Sequence, residues 1–213
     1  MGKQRKLTRR ETARLEQLRI KEEQLREQGY RRVDLTVGIV AVNILAIVVM
    51  LPFILLCVIA YIFVAGEGEI NFFFGDMWKT GILLLIFFAL IVLHELIHGA
   101  IWGFFAPGHF HDVEFGIIWS ALTPYCTCTS ELKKYQYIVG ALMPTVLFGF
   151  LPAAAAIGMG NGALFLLSIF MILGGGGDFL IVGKLLAYRT KAKDVVILDH
   201  PSELGLIVFE RDL

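Results

Sequence analysis

Four long apolar stretches, separated by short polar segments, dominate the pattern of hydrophobic and polar positions along the chain. They run approximately over residues 35–65, 81–105, 137–157 and 162–188. A helix needs about 20 mostly uncharged residues to cross a bilayer, and each stretch supplies them. The pattern predicts an all-α polytopic membrane protein with about four transmembrane helices, and the 57% hydrophobic content of the 213 residues agrees with that class.

Two segments outside these spans alternate in the manner of β-strands. Between the second and third spans, "VEFGIIWSALTPYCTCT" alternates on either side of Pro124, which predicts a small β-hairpin or re-entrant insertion. After the fourth span, "DVVILDHPSELGLIVFERD" has the pattern of a strand, a turn and a strand. We therefore expect a short cytoplasmic β-element at the C-terminus.

The polar segment before the first span has the composition of a helix. Leu15, Leu18 and Leu25 form a thin apolar stripe within residues 11–28, and Gly29 is placed to end the helix. A solvated helix beside anionic lipid headgroups fits this pattern, and so does a helix that pairs with a coiled-coil partner. The sequence leaves both open.

Charge is distributed unevenly along the chain. Residues 1–32 hold 11 Lys and Arg against five Glu, although the net charge of the whole chain is zero. Basic flanks of membrane spans stay in the cytoplasm, and the polar start shows no cleavable signal peptide. We expect an integral protein of the plasma membrane with both termini cytoplasmic. It would have a basic amphipathic segment at 1–32, a transmembrane domain at 33–188 and a cytoplasmic segment at 189–213.

Candidate chemistry lies inside the second span, in the stretch "LIVLHELIHGAIWGFF". Residues four apart on a helix lie one above the other, so His94 and His98 can direct two nitrogens at one ion while Glu95 lies beside them as a base. Three ionisable groups within an apolar span need a common partner, and a divalent cation is the simplest one. The alternative is that the histidines only hydrogen-bond neighbouring helices around a protonated Glu95.

A catalytic zinc site usually takes a third protein ligand. Asp178, in "MILGGGGDFLIVG", is the only ionisable residue well inside the fourth span. Counted from the cytoplasmic ends at about 1.5 Å per residue, His94 and His98 lie roughly 10–17 Å deep and Asp178 roughly 15 Å deep. We expect the three to meet and bind Zn²⁺. Gly174–Gly177 would allow close backbone approach to the histidine-bearing helix or an unwound strip for a substrate, and the alternative is simple packing of small residues between helices.

These motifs resemble the site-2-protease group of intramembrane zinc metalloproteases and, more closely, a family of membrane proteins described as "putative zincin peptidases". The resemblance covers most of residues 81–213 and rests on "HELIH", on "GGGGD", on the insertion around "VEFGIIWSALTP" and on the closing "DHPSELG". It implies that His94, His98 and Asp178 are zinc ligands and that Glu95 is the general base. It also implies a core of three helices with a site that faces the cytosol.

The function expected from these residues is that of a membrane-embedded zinc metalloprotease, which hydrolyses peptide bonds of membrane-associated substrates near the cytosolic face. The substrate would unwind and add to the segment 110–130 as a strand. A second reading is a non-proteolytic membrane protein with a structural or sensory metal site that binds a partner. It is kept open by Pro144 and Thr145, where site-2 proteases usually carry an Asn. Ion transport would predict more ionisable residues along a path.

The remaining candidates point to structural roles. The three cysteines offer no paired framework, and Cys126 and Cys128 alternate on one strand, so we expect packing and no disulfide. His109 and His111 lie in an expected turn at the membrane boundary, and His200 precedes a proline in another turn. No phosphate-binding loop is present, and nothing predicts a nucleic-acid partner.

Overall fold

The structure is a computed structural model that describes residues 9–66, 77–118, 123–200 and 204–212. Most of the described chain is helical. The helices are α1 (Arg9–Glu27), α2 (Ile39–Ala65), α3 (Met77–Phe105), α4 (Lys134–Thr145), α5 (Leu151–Met159), α6 (Gly162–Gly174) and α7 (Gly176–Ala187). The strands are β1 (Arg31–Val37), β2 (Val113–Ile118), β3 (Thr123–Cys128), β4 (Leu132–Lys133), β5 (Asp194–Asp199) and β6 (Leu204–Arg211). The helical class is confirmed, with two small sheets added to it.

Three helical segments are long and apolar enough to cross a membrane. They are Ala41–Ala65, Met77–Phe105 and Lys134–Met159, the last of which joins α4 to α5 through a π-helical turn at Val146–Phe150. The pair α6 and α7 passes the same test as a single span, although its two halves meet at an angle of 44°. By length and composition, the described chain therefore offers three spans, or four with the bent pair, as the sequence predicts.

The bend between α6 and α7 lies at the glycine run, where close packing requires the absence of side chains. A Cβ atom on Gly175 would lie 1.8 Å from the hydroxyl oxygen of Thr145 in α4. A Cβ atom on Gly176 would lie 2.9 Å from the backbone oxygen of Ala46 in α2. The glycines thus allow close approach, but they approach α4 and α2 rather than the histidine-bearing helix α3.

A four-stranded antiparallel sheet, which we call the C-terminal sheet, has the strand order β1-β6-β5-β4. β5 and β6 confirm the two predicted strands, and residues 201–203 of the predicted turn lie outside the described part. The first span, predicted from about residue 35, begins later, because β1 pairs with β6 from Arg31 opposite Glu210 to Val37 opposite Leu204. The sheet therefore uses residues on both sides of position 32, and the division into three segments stays a prediction.

The predicted insertion after α3 is a two-stranded hairpin. β2 and β3 pair from Val113 opposite Cys128 to Ile118 opposite Thr123, and the connecting residues 119–122 lie outside the described part. The hairpin packs on α3 where a glycine leaves room, since a Cβ atom on Gly99 would lie 2.4 Å from the ring of Phe115. This packing places β3 close to the helix that carries the histidines.

Helix α1 is covered on its leucine side by the protein's own C-terminal sheet. Leu25 is buried in a cluster with Leu198, Ile207 and Phe209, and Leu18 packs against that cluster. The helix ends as predicted, since Gly29 has a φ of 85°. Its apolar stripe thus has an intramolecular partner, which neither of the two alternatives drawn from the sequence included.

Candidate metal centre

The buried face of α3 carries its polar groups, while most of the rest of the helix is exposed. The buried residues are His94, His98, Gly99, Trp102 and Gly103, which recur at the four-residue spacing of one helix face. The face is covered mainly by α4 and the hairpin. The sequence spacing therefore directs both imidazoles to the interior of the protein.

Three side chains converge on one point, as the sequence predicts. The carboxylate oxygen Oδ2 of Asp178 lies 3.3 Å from Nε2 of His94 and 3.5 Å from Nε2 of His98. One ligand atom from each of the three residues lies within 4.8 Å of the others. A tetrahedral zinc with bonds of about 2.0–2.1 Å separates its ligand atoms by roughly 3.3 Å, so this donor set fits zinc in both chemistry and spacing. Within the described residues, no other group of three such side chains meets this criterion.

Asp178 reaches the histidines because the fourth predicted span is broken. It lies in the first turn of α7, directly after the bend, where the positive end of the helix dipole favours a carboxylate. Its side chain is 24% exposed, against 9% for His94 and 4% for His98. The aspartate is thus the most accessible of the three candidate ligands.

The orientation of His98 is fixed from behind by the backbone of α4. Nδ1 of His98 lies 2.9 Å from the carbonyl oxygen of Gly140. A carbonyl oxygen only accepts, so this bond assigns the proton to Nδ1 and leaves Nε2 for a metal. The approach needs a glycine, because a Cβ atom at position 140 would lie 2.0 Å from Nε1 of Trp102.

A column of aromatic rings continues behind His98. Its ring stacks on Trp102 at a centroid distance of 5.1 Å, and Trp102 stacks on Tyr137 at 5.4 Å. Nε1 of Trp102 donates to the backbone oxygen of Tyr137 at 3.3 Å. Sequence reasoning missed this support, although the spacing of Trp102 four residues after His98 offered a signal for a shared face.

Glu95 lies beside the candidate ligands and is half-buried. Its carboxylate accepts a hydrogen bond from the backbone N–H of Cys126 in β3. The hairpin therefore touches the residue that the sequence predicts to be the general base. The roles of Glu95 and of the three candidate ligands stay predictions.

A second carboxylate, Asp199 at the end of β5, joins the C-terminal sheet to the hairpin. Its Oδ2 accepts from the backbone N–H of Cys128 at 2.9 Å and from the hydroxyl of Thr127 at 3.1 Å, and its Oδ1 accepts from the hydroxyl of Tyr137 at 2.8 Å. Burial raises the pKa of this carboxyl above its ordinary value, although the three donors oppose the shift. Sequence analysis assigned Asp199 no role beyond its place in the closing segment "DHPSELG".

The other candidate residues lie where the sequence predicts structural roles. His109 and His111 belong to a 3₁₀ turn, and neither is part of the three-residue group described above. Cys126 and Cys128 are free thiols on β3. Burial raises the pKa of Cys128 to about 12 and raises that of Cys126 well above its ordinary value, so both stay protonated near neutral pH.

Thr145 stands where the resemblance leads one to look for an oxyanion-stabilising Asn. It is fully buried against Gly175, and its hydroxyl has no hydrogen-bond partner among the described atoms. Within the described residues, no hydrogen bond joins its hydroxyl to the three candidate ligands. The oxyanion-stabilising residue therefore stays open.

Comparison with known proteins yields one match. A family model described as "Putative zincin peptidase" matches residues 87–193, about half of the chain. The matched range begins within α3 before His94 and extends past Asp178 to the end of the linker before β5. No curated protein and no solved structure matches the chain. The matched range thus contains Glu95 and all three candidate ligands.

Proposed function

The chain belongs to the family described as "Putative zincin peptidase", and from that premise we propose that it is a membrane-embedded zinc metallopeptidase. It would cleave membrane-associated peptides near the cytosolic face, in the manner of site-2-type proteases. The observation that carries the proposal is the convergence of His94, His98 and Asp178 between helices that are apolar on their outer faces. A metallopeptidase follows from the family, whereas the membrane, the orientation and the substrate are our inference.

Embedding in a membrane is supported by the surfaces of α2 and α3. Large apolar side chains stand exposed along both helices, with Leu56 66%, Phe63 87%, Leu85 72% and Phe88 62% exposed. Soluble monomers rarely expose contiguous apolar patches larger than a few hundred Å². A lipid environment is the simplest cover for surfaces of this length and composition.

The orientation is supported by the arrangement of charge. Residues 1–32 carry an excess of Lys and Arg, and α1 packs on the C-terminal sheet. Both terminal regions therefore lie at one end of the helices, and the positive-inside rule favours the cytoplasm for that end. His98 lies about 10 Å from the end of α3 and His94 about 16 Å, so the site would be reached from the cytosolic side.

The residues around the site suit hydrolysis of a peptide bond. A bound zinc would act as a Lewis acid on the scissile carbonyl and lower the pKa of the attacking water. Glu95 would take the proton of that water and later pass it to the leaving amine. Gly140 would hold His98 in the required tautomer through its carbonyl oxygen.

A substrate helix hides its carbonyl groups and would have to unwind before cleavage. The hairpin offers a place to hold the unwound segment, since its sheet contains only β2 and β3 within the described part of the chain. The outer edge of β2 therefore has backbone groups available for an added strand. This is the role that we propose for the insertion after α3.

The test combines zinc content with cleavage, using detergent-purified wild type, Asp178→Ala and Glu95→Gln. We expect about one zinc per chain in the wild type and in Glu95→Gln, and much less in Asp178→Ala, because Asp178 is a proposed ligand and Glu95 is not. Cleavage is followed on two membrane peptides that differ by one helix-breaking residue. Glu95→Gln should lower cleavage by about 10²–10⁴-fold, and the helix-breaking peptide should be cut faster.

The matched control is Asp194→Ala, which removes a carboxylate of the C-terminal sheet and should leave zinc content unchanged. Absence of zinc from the wild type would overturn the metal centre and the peptidase together. Zinc in the wild type with equal phenotypes for Glu95→Gln and wild type would instead favour a structural or sensory metal site that binds a partner. Equal cleavage of the two peptides would remove the unwinding step from the proposal.

A further inference from the structure

Asp199 fixes the position of strand β3 from the side opposite to β2. The N–H groups of Cys126 and Cys128 are two residues apart, so they point to the same edge of the strand. The first donates to the carboxylate of Glu95 on α3, and the second donates to Asp199 at 2.9 Å. One edge of β3 is therefore held by two carboxylates, one from the candidate centre and one from the C-terminal sheet.

Thr127 supplies a second hydrogen bond between β3 and Asp199. Its hydroxyl donates to the same oxygen, Oδ2, at 3.1 Å. A carboxylate that accepts from a backbone N–H and from the preceding side chain restrains the strand in both register and twist. Because Cys126 is only two residues away, this restraint extends to the amide that contacts Glu95.

The other oxygen of Asp199 is joined to the ligand side of the centre. Oδ1 accepts from Tyr137, whose ring stacks on Trp102, which in turn stacks on His98. Asp199 therefore contacts both Tyr137, which lies behind the candidate ligand His98, and strand β3, which contacts the candidate base Glu95. Movement of Asp199 would change the position of one relative to the other.

We propose that Asp199 is a positioning residue, which sets Glu95 against the His98 side of the centre by holding β3 and Tyr137 together. The inference rests on the proposed peptidase function, in which Glu95 is the general base. It assigns the C-terminal sheet a part in catalysis although the sheet contributes no candidate ligand. A misplacement of about 1 Å in a reacting group can cost about 10²-fold in rate, so a positioning residue of this kind is expected to change kcat.

The experiment uses the full zinc-loaded chain in detergent and compares Asp199→Ala with Asp199→Asn. The Ala variant leaves the N–H of Cys128 without its acceptor, and we expect kcat to fall about 10–100-fold with KM and zinc content within about twofold of wild type. The Asn variant keeps a carbonyl oxygen that can accept from Cys128, and it should recover most of kcat. Asp194, on the same strand, accepts from Tyr30 and Arg211 instead, so the control variant Asp194→Ala should keep wild-type kcat.

A second readout does not depend on activity. Hydrogen exchange of the Cys126 amide should be accelerated at least about tenfold by Asp199→Ala and little changed by Asp199→Asn or Asp194→Ala, because loosening β3 exposes its amides. If Asp199→Ala does not fold, Thr127→Val replaces it: this variant deletes one of the two bonds and keeps the shape of the side chain. It should lower kcat about threefold and accelerate exchange at Cys126.

The two possible failures are distinguishable. A wild type that binds zinc and cleaves nothing, while Asp199→Ala still accelerates exchange at Cys126, would refute the peptidase and retain the restraint on β3. A wild type that cleaves, with unchanged kcat and exchange in the Asp199→Ala or Thr127→Val variant, would overturn the role of Asp199. Parallel loss of zinc and kcat without rescue by Asn would also overturn it, because a merely structural residue behaves in that way.

Discussion

The C-terminal sheet and helix α3 place the same kinds of side chain in opposite environments. In β6, the residues Leu206, Ile207, Val208 and Phe209 are at most 1% exposed. In α3, Leu85 is 72% exposed and Phe88 is 62% exposed, and residues 80–93 contain no charged side chain. The sheet is therefore arranged as water requires, with apolar residues inside and ion pairs such as Arg211 with Asp194 at its rim.

The difference between the two regions is the one expected if α3 lies in a membrane, as we propose, and the sheet lies in water. Burial of apolar area away from water holds the sheet together. Helix α3 buries Gly99, Gly103, its two histidines and Trp102, while most of its large aliphatic residues are exposed. Its outer face is suited to lipid, where close packing between helices and satisfied polar groups replace the hydrophobic effect. The candidate centre lies on the buried face of α3, next to the hairpin that joins the two regions.

The largest expected effect is on the free energy of unfolding, when a leucine is replaced by alanine once in each region. Leu206→Ala creates a cavity in the sheet, where Leu206 is fully buried, and should lower the free energy of unfolding by about 2–5 kcal/mol. Leu85→Ala removes a largely exposed side chain and should change the free energy of unfolding by less than about 0.5 kcal/mol. Denaturant unfolding in detergent measures both. Equal losses of stability would show that Leu85 is covered by protein, and they would contradict the contrast between the sheet and α3.

The next effect concerns the surroundings of α3. Phe88→Arg places a charge close to the middle of the helix on an exposed position, and near the centre of a bilayer such a charge costs about 2.5–3.5 kcal/mol in insertion. The membrane-retained fraction after alkaline extraction should fall, whereas the apolar control Phe88→Leu should remain in the membrane. Undiminished retention of Phe88→Arg together with higher solubility would indicate that this face contacts water.

The smallest effect concerns acid stability of the sheet. Hydrogen bonds from Thr190, Arg31 and Tyr188 lower the pKa of Glu210 to about 2. Because the folded-state pKa lies below the unfolded value of about 4.3, the contribution of ionised Glu210 is present above that value and is lost as the pH falls towards 2. The midpoint of thermal unfolding should therefore fall less between pH 5 and 3 in Glu210→Gln than in wild type. Glu23→Gln, on the exposed side of α1, is the control, and identical slopes for Glu210→Gln and wild type would contradict the assignment.

Much of the candidate centre could be predicted because its signals are local. The spacing of His94 and His98 places both on one helix face, and a lone Asp178 in an apolar span has few chemical explanations. The hairpin and the strands β5 and β6 could be predicted from alternation, which is also local. The expected depths of His94, His98 and Asp178 came from counting residues along regular helices, and they stay predictions.

The supports of the centre could not be predicted in the same way. Gly140 has no side chain, so the sequence contains no signal of its hydrogen bond to His98. The need for a glycine at this position depends on where Trp102 packs. The predicted first span included the end of β1, because apolar residues such as Val33 and Leu35 are as common in a buried strand as in a membrane helix. Their pairing with β6 joins residues far apart in sequence, and strand propensity alone does not select such a partner.

The candidate metal ligands, the apolar helices and the alternating strands could all be read from the sequence, because each signal depends on spacing or composition within one element. Three other features are visible only in the folded protein: α1 covers the C-terminal sheet, the glycine run packs on α4 and α2, and Asp199 joins the sheet to the hairpin. These features depend on which surfaces meet across long separations in the chain. Local periodicity fixes the face that an element buries, but the partner that covers it is fixed by the packing of the whole molecule.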